Sequence, residues 1–143
     1  MRYLVLVSHG TFAPGLHSVL DMLCGKRDDI LSTSLEDGMS ADVYVEHLKE
    51  KIQVIGPDDS VFLFGDIIGG SPLTNTHNTT TEKGLLPHTV AFGGVNLPMA
   101  ISALMAIEDG LDNDALRAQL LSESKEAIKE VELQVAEEGE DDL

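Results

Sequence analysis

The sequence predicts an α/β protein with a doubly wound, mainly parallel four-stranded sheet and helices on both faces. Three observations predict it. Short apolar runs that do not alternate, "YLVLV", "VFLF" and "TVAF", recur along the chain. Stretches of helical periodicity separate them. Strands buried on both faces read as continuous apolar runs, and strand–helix alternation is the signature of a parallel sheet covered on each side.

The elements follow in order. Tyr3–Val7 is the first strand. Pro14 to Leu23 reads as a helix with Leu16, Val19, Leu20 and Leu23 inward and Gly25 at its end. "DILSTSL" is a weaker second strand. Ser40 caps a helix that turns Ala41, Tyr44, Val45, Leu48 and Ile52 inward, and Gly56-Pro57-Asp58 breaks it. "SVFLFGD" is a strand. Ser71 reads as an N-cap with Pro72 at the first helical position, although the threonine-rich middle of this helix has low propensity. "HTVAFGG" is the last strand of the sheet. A helix over Pro98–Ile107 opens at Asn96 and closes near Gly110, and Asp112 or Asn113 caps another that carries Leu116, Leu120 and Leu121. Ile128–Val135 fits two periods. Ile128, Val131 and Val135 are spaced as on a helix, while Val131, Leu133 and Val135 alternate as on a strand.

The 143 residues suit one domain, and 43% hydrophobic residues suffice for a core. The formal charge of −16 argues against a nucleic-acid partner, which needs a basic face, and favours basic protein partners. The single cysteine, Cys24, excludes an internal disulfide, fits a cytoplasmic location, and is expected to be buried among apolar neighbours. The run in "MRYLVLV" is too short for a signal peptide, and no window approaches the roughly 20 apolar residues of a membrane helix.

Ligands of open parallel sheets bind beyond the carboxyl ends of the strands. The loops there are Ser8-His9-Gly10-Thr11, Asp66 through Ser71, and Gly93 through Asn96. His9 and Asp66 both stand at strand ends. A carboxylate that accepts a hydrogen bond from one imidazole nitrogen leaves the other bare and nucleophilic. Gly69-Gly70-Ser71 before a helix can aim backbone amides and a hydroxyl at an anion. Alone, each is an ordinary strand or helix end. Together they describe a phosphoryl group handed to a histidine. No P-loop and no G-x-G-x-x-G is present, and the G-x-S-x-G elbow is broken by Pro72-Leu73. His17, His47, His77 and His88 lack metal-ligand spacing, so no metal site is expected. His47 and His88 read as surface or packing residues, and His17 and His77 as candidates to support the neighbouring loops.

"VSHG", "FGDIIGGSP" and "GGVNLPM", in this order and spacing, resemble the IIA domain of the mannose-type phosphoenolpyruvate-dependent sugar phosphotransferase system. The resemblance spans nearly the whole chain. It implies a phosphotransferase without a cofactor, in which His9 is phosphorylated on Nε2 and Asp66 holds the Nδ1 side. It assigns phosphate stabilisation to Gly69, Gly70 and Ser71, and close approach at Gly10 and Thr11 suits the same role. The donor would be phosphorylated HPr and the acceptor a IIB component, through which the chain associates with membrane IIC and IID components. Phe12, Met22, Pro98 and Met99 are expected to form an apolar contact rim around His9. The family fold adds a strand exchanged between two subunits of a homodimer, which favours reading Ile128–Val135 as that strand. The expected organisation is one IIA domain over residues 1–136 and an acidic tail over 137–143, with no room for a IIB domain. Ile67, Ile68, Thr11 and Phe12 depart from the bulky residues many relatives carry. The alternatives are the phosphoryl-relay subunit of a dihydroxyacetone kinase, and a non-enzymatic flavin- or phosphate-binding module using Gly69-Gly70 and Gly93-Gly94.

Overall fold

A computed structural model describes residues 1–135. Strand β1 (Arg2–His9) is apolar at successive positions because both its faces are covered. Leu4 and Leu6 face one layer of helices; Tyr3, Val5 and Val7 face the other. With β2 (Ile30–Leu35), β3 (Ser60–Gly65) and β4 (Thr89–Phe92) it forms a sheet of order β2-β1-β3-β4, and every pairing is parallel. The chain leaves β1 towards β2 and then crosses back to β3. The strand order therefore reverses between β1 and β3, and a crevice opens beyond their carboxyl ends.

Helices α1 (Phe12–Cys24), α4 (Leu97–Asp109) and α5 (Asn113–Glu126) cover the Leu4/Leu6 face. Helix α2 (Ala41–Ile52) covers the other through Tyr44, Leu48 and Ile52, with α3 (Ser71–Glu82) beside it through Leu73. The threonines of α3 do not prevent the helix. Thr76, Thr79 and Thr80 are buried, and their hydroxyls donate to the carbonyls of Pro72, Asn75 and His77. Back-bonding of this kind removes the penalty of burying a hydroxyl. Asn96 and Asp112 cap α4 and α5, each accepting a backbone N–H at 2.8 Å.

Several sequence expectations change. Helix α1 begins at Phe12, two residues early. The apolar stripe of α1 that packs on the core ends at Leu20, so Met22, Leu23 and Cys24 of its last turn are exposed, and Cys24 is not the buried residue its neighbours suggested. Ala41 is exposed in the first turn of α2. Gly70 is the N-cap of α3, which makes Ser71 its first residue and Pro72 its second. Ile128–Val135 forms neither helix nor strand within the chain. Its apolar side chains stand in solvent: Val131 is 71% exposed, Leu133 92% and Val135 96%. Residues 137–143, expected to be an acidic tail, lie outside the described residues. Among the described residues, no helix is long and apolar enough to cross a membrane.

Candidate active site

Pairing with β2 carries β1 to its end. The Gly10 N–H donates to the Leu35 carbonyl at 2.9 Å, continuing the contact with β2 one residue past His9. On the β3 side the ladder stops at Val7 and Gly65, and the Asp66 carboxylate takes over. Asp66 Oδ2 accepts the His9 backbone N–H at 2.9 Å and lies 2.9 Å from His9 Nδ1. Asp66 Oδ1 accepts the Ile67 N–H at 2.9 Å. Burial works to raise the Asp66 carboxyl, but the bonds from the His9 amide, the His9 ring and the Ile67 amide outweigh it and hold the group below its ordinary range. Asp66 is therefore ionised at neutral pH and can only accept. In the neutral ring Nδ1 must then carry the hydrogen, which leaves the lone pair on Nε2. Nε2 makes no hydrogen bond among the described residues, and the His9 side chain is 44% exposed.

The loop after β4 supports this arrangement from the side. Gly94 donates to the Asp66 carbonyl at 3.0 Å and Val95 to the Gly65 carbonyl at 3.1 Å. Gly93 lies against Ile68; a Cβ built there would sit 2.2 Å from Ile68 Cγ1. The turn before α3 closes on the ring itself. Gly69 has φ +82°, and a Cβ on Gly70 would fall 2.7 Å from His9 Cε1, the carbon between the two ring nitrogens. The Gly70 amide closes the turn over Ile68-Gly69, while the amides of Gly69 and Ser71 meet no acceptor among the described residues. The Ser71 hydroxyl accepts from Asn75 Nδ2 at 2.8 Å, which leaves its hydrogen to donate. An imidazole lone pair thus stands beside a helix N-terminus with uncommitted donors, an arrangement that suits an anion arriving at Nε2.

His9, Asp66, Gly69, Gly70 and Ser71 are brought together. Gly10 and Thr11 adjoin them, but the Gly10 amide is already committed to Leu35, while Thr11 begins α1 without a side-chain cap bond. Of the expected contact rim, Phe12 and Pro98 are exposed near the sheet's carboxyl edge. Met22 is exposed too, but it lies ten residues further along α1, about 15 Å from Phe12 at the rise of an α-helix. Met99 is 5% exposed and belongs to the core, because the Asn96 cap rotates Met99, Ala100 and Ala103 inward. The loop that carries Asp66 exposes two apolar side chains, Ile67 beside Gly70 and Ile68 beside Gly93, 54% and 82% exposed. Two isoleucines in a strand-end loop were the available signal for them. Asn75 and the Gly94 bond to Asp66 had no sequence signal at all.

The other histidines are elsewhere. His47, His77 and His88 are exposed. His17 Nδ1 lies 2.7 Å from Ser32 Oγ and ties α1 to β2. No group of residues suited to a metal occurs among the described residues.

The fold and the site together define a doubly wound domain that presents an oriented imidazole at its switch point, facing an anion-receptive turn. The family model described as the fructose IIA component of the phosphotransferase system matches residues 3–121, and the chain belongs to that family. The mannose-specific EIIAB component of the phosphotransferase system of Escherichia coli (strain K12) is 25% identical over 136 residues, covering 95% of this chain and 41% of that protein. The Shigella flexneri component is similar to the same extent. The chain thus spans about two-fifths of the length of these relatives. The phosphotransferase component EIIA of Streptococcus agalactiae superposes with a TM-score of 0.77 at 22% identity, over 91% of this chain and 97% of that one. The mannose/sorbose-specific IIA subunit of Enterococcus faecalis gives 0.73 at 23%, over 95% and 98%. These two likenesses bear on the fold, the same four-stranded parallel sheet with its five helices.

Proposed function

We propose that this chain is a cytoplasmic phosphocarrier of phosphotransferase-driven sugar uptake. Nε2 of His9 attacks the phosphorus of the phosphohistidine of HPr. The new N–P bond forms as the donor's N–P bond breaks, and the donor imidazole leaves with the bonding pair. The phosphoryl group is then attacked by a nucleophilic histidine of a IIB component, and His9 becomes the leaving group. Asp66 holds the Nδ1–H throughout and stabilises the positive charge that develops on the ring. The turn at Gly69, Gly70 and Ser71 receives the phosphoryl oxygens. The observation that carries this reading is the pair of hydrogen bonds that Asp66 Oδ2 accepts from the His9 amide and ring.

The active form is a homodimer in which Ile128–Val135 is exchanged as a strand. Its alternating apolar residues are exposed in the single chain, and the outer edge of β4 has no partner strand among the described residues. A partner's strand there would bury both. Membrane IIC and IID components are reached through IIB.

Incubation with phosphoenolpyruvate, Enzyme I and HPr should place acid-labile phosphate on His9. A His9→Ala chain that labels as well as the parent refutes the reading. Transfer from the labelled chain to IIB, and not to a dihydroxyacetone kinase, distinguishes sugar uptake from the kinase relay.

A further inference from the structure

Tyr44 is fully buried in α2, yet its hydroxyl reaches across to α3. It lies 2.7 Å from Thr76 Oγ1 and 3.2 Å from the Pro72 carbonyl. Thr76 Oγ1 in turn lies 2.7 Å from the Pro72 carbonyl. Thr76 has one hydroxyl hydrogen. Given to Pro72, it leaves Oγ1 as the acceptor for Tyr44. The result is a directed chain, Tyr44 to Thr76 to Pro72, of the kind in which each bond strengthens the next.

The chain ends in the turn that matters to His9. Pro72 follows directly on Gly70 and Ser71, and the Gly70 backbone lies against His9 Cε1. Proline has no N–H, so the first turn of α3 lacks one of its usual donors. Its carbonyl side is where it can be held. Packing alone does not call for the Tyr44 oxygen, since phenylalanine would fill the same space. Burial pushes the Tyr44 hydroxyl up to about 12, against the Thr76 bond and with help from the charge of Asp66. The group therefore remains a protonated donor at physiological pH.

We propose that Tyr44 is a positioning residue for phosphoryl transfer: through Thr76 and Pro72 it holds the N-terminal turn of α3 against His9, so that the amides of that turn meet the phosphoryl group. This rests on the phosphocarrier reading.

The test uses the full chain with phosphoenolpyruvate, Enzyme I and HPr. In Tyr44→Phe the kcat for phosphorylation should fall about two- to tenfold, the span of one hydrogen bond's net effect, with KM for phosphorylated HPr unchanged. The ³¹P resonance of phosphorylated His9 should move. Thr76→Val should do the same, Thr76→Ser should match the parent, and the double variant should be no worse than either single one. If Tyr44→Phe does not fold, the Thr76 pair decides. A lower melting temperature with kcat and the ³¹P resonance both unchanged overturns the proposal. A parent chain that takes no label overturns the phosphocarrier reading, and this proposal with it. That outcome differs visibly from a labelled parent matched by its variant.

Discussion

Replacing Gly70 by alanine isolates the contact between the anion-binding turn and the nucleophile. Gly70 has φ −79° and ψ 158°, where alanine is at ease, so the backbone offers no objection. The whole effect comes from one methyl group. Its carbon would lie 2.7 Å from His9 Cε1, and 3.1 and 3.3 Å from Ile67 Cγ1 and Cδ1. Carbon atoms in contact sit roughly 3.5–4.0 Å apart, so about 1 Å of movement is needed. Ile67 is exposed and can yield. The His9 ring can yield only by swinging towards solvent, away from Asp66 Oδ2. Stability should change little, by about 1 kcal/mol for a half-exposed hydrogen bond. For a chain of this size that lowers Tm by roughly 2–6 °C. Transfer should change much more, because a displacement of about 1 Å at a reacting atom can cost on the order of 100-fold. Rapid-quench measurement of phosphoryl transfer from HPr, with thermal denaturation alongside, reads both numbers. An alanine variant that transfers at the parent rate would refute the claim that this turn is packed against the ring in the working site.

Three further outcomes are expected. The Asp66 carboxyl is held below its unfolded value, so its stabilisation is present above the carboxylate range and is lost as pH falls through the native value; the urea midpoints of parent and Asp66→Asn should differ at neutral pH and converge below about pH 4, and a constant gap would count against the bonds drawn to Asp66. Ser8→Ala removes the buried hydroxyl that accepts the Ala13 N–H at 2.7 Å, and should cost about 1–3 kcal/mol in urea unfolding for the donor left unpaired; a change within error would place a water there instead. Leu133→Asp should convert a sedimenting dimer into a monomer at micromolar concentration, and a parent that already sediments as a monomer removes strand exchange from the account.

The strands were legible because burial on both faces forces continuous apolar runs, and few other structures use residues such as Tyr3–Val7 in that way. Helix starts at Ser40, Asn96 and Asp112 were legible because a short polar side chain before an apolar stripe has one common use. The pairing of His9 with Asp66 was not contained in either residue. It depends on β1 lying beside β3, which the long-range order of the sheet decides. Ser8 was missed as a cap for α1 because it acts across five residues, from within a strand. Met99 reverses its expected exposure because the Asn96 cap sets the rotation of α4, which turns Met99 inward with Ala100 and Ala103 and leaves Pro98 outside. Tyr44 looked like any other inward residue of α2. In a hydrophobic stripe tyrosine and phenylalanine carry the same signal, and the partner of the hydroxyl lies on another helix.

Order in the site is graded with depth, and the gradient suits a group that must serve two partners. Tyr44 at the bottom is wholly buried, Asp66 above it is largely covered, and the His9 ring is nearly half open. The tautomer is set by the covered part: a carboxylate with three N–H groups on it, in a loop that Gly94 and Val95 tie to β3 and β4. Nothing a partner does at the surface has to supply that orientation. The exposed part is the Nε2 side of the ring, with the exposed apolar side chains of Phe12, Ile67 and Ile68 in the loops that follow β1 and β3. A donor and an acceptor can then be told apart by how they fit this rim, while the chemistry beneath it stays the same for both. The small residues in "FGDIIGGSP" and "GGVN" make this division possible. With side chains at positions 70 and 93, the loops that orient the ring could not lie close enough to touch it or one another.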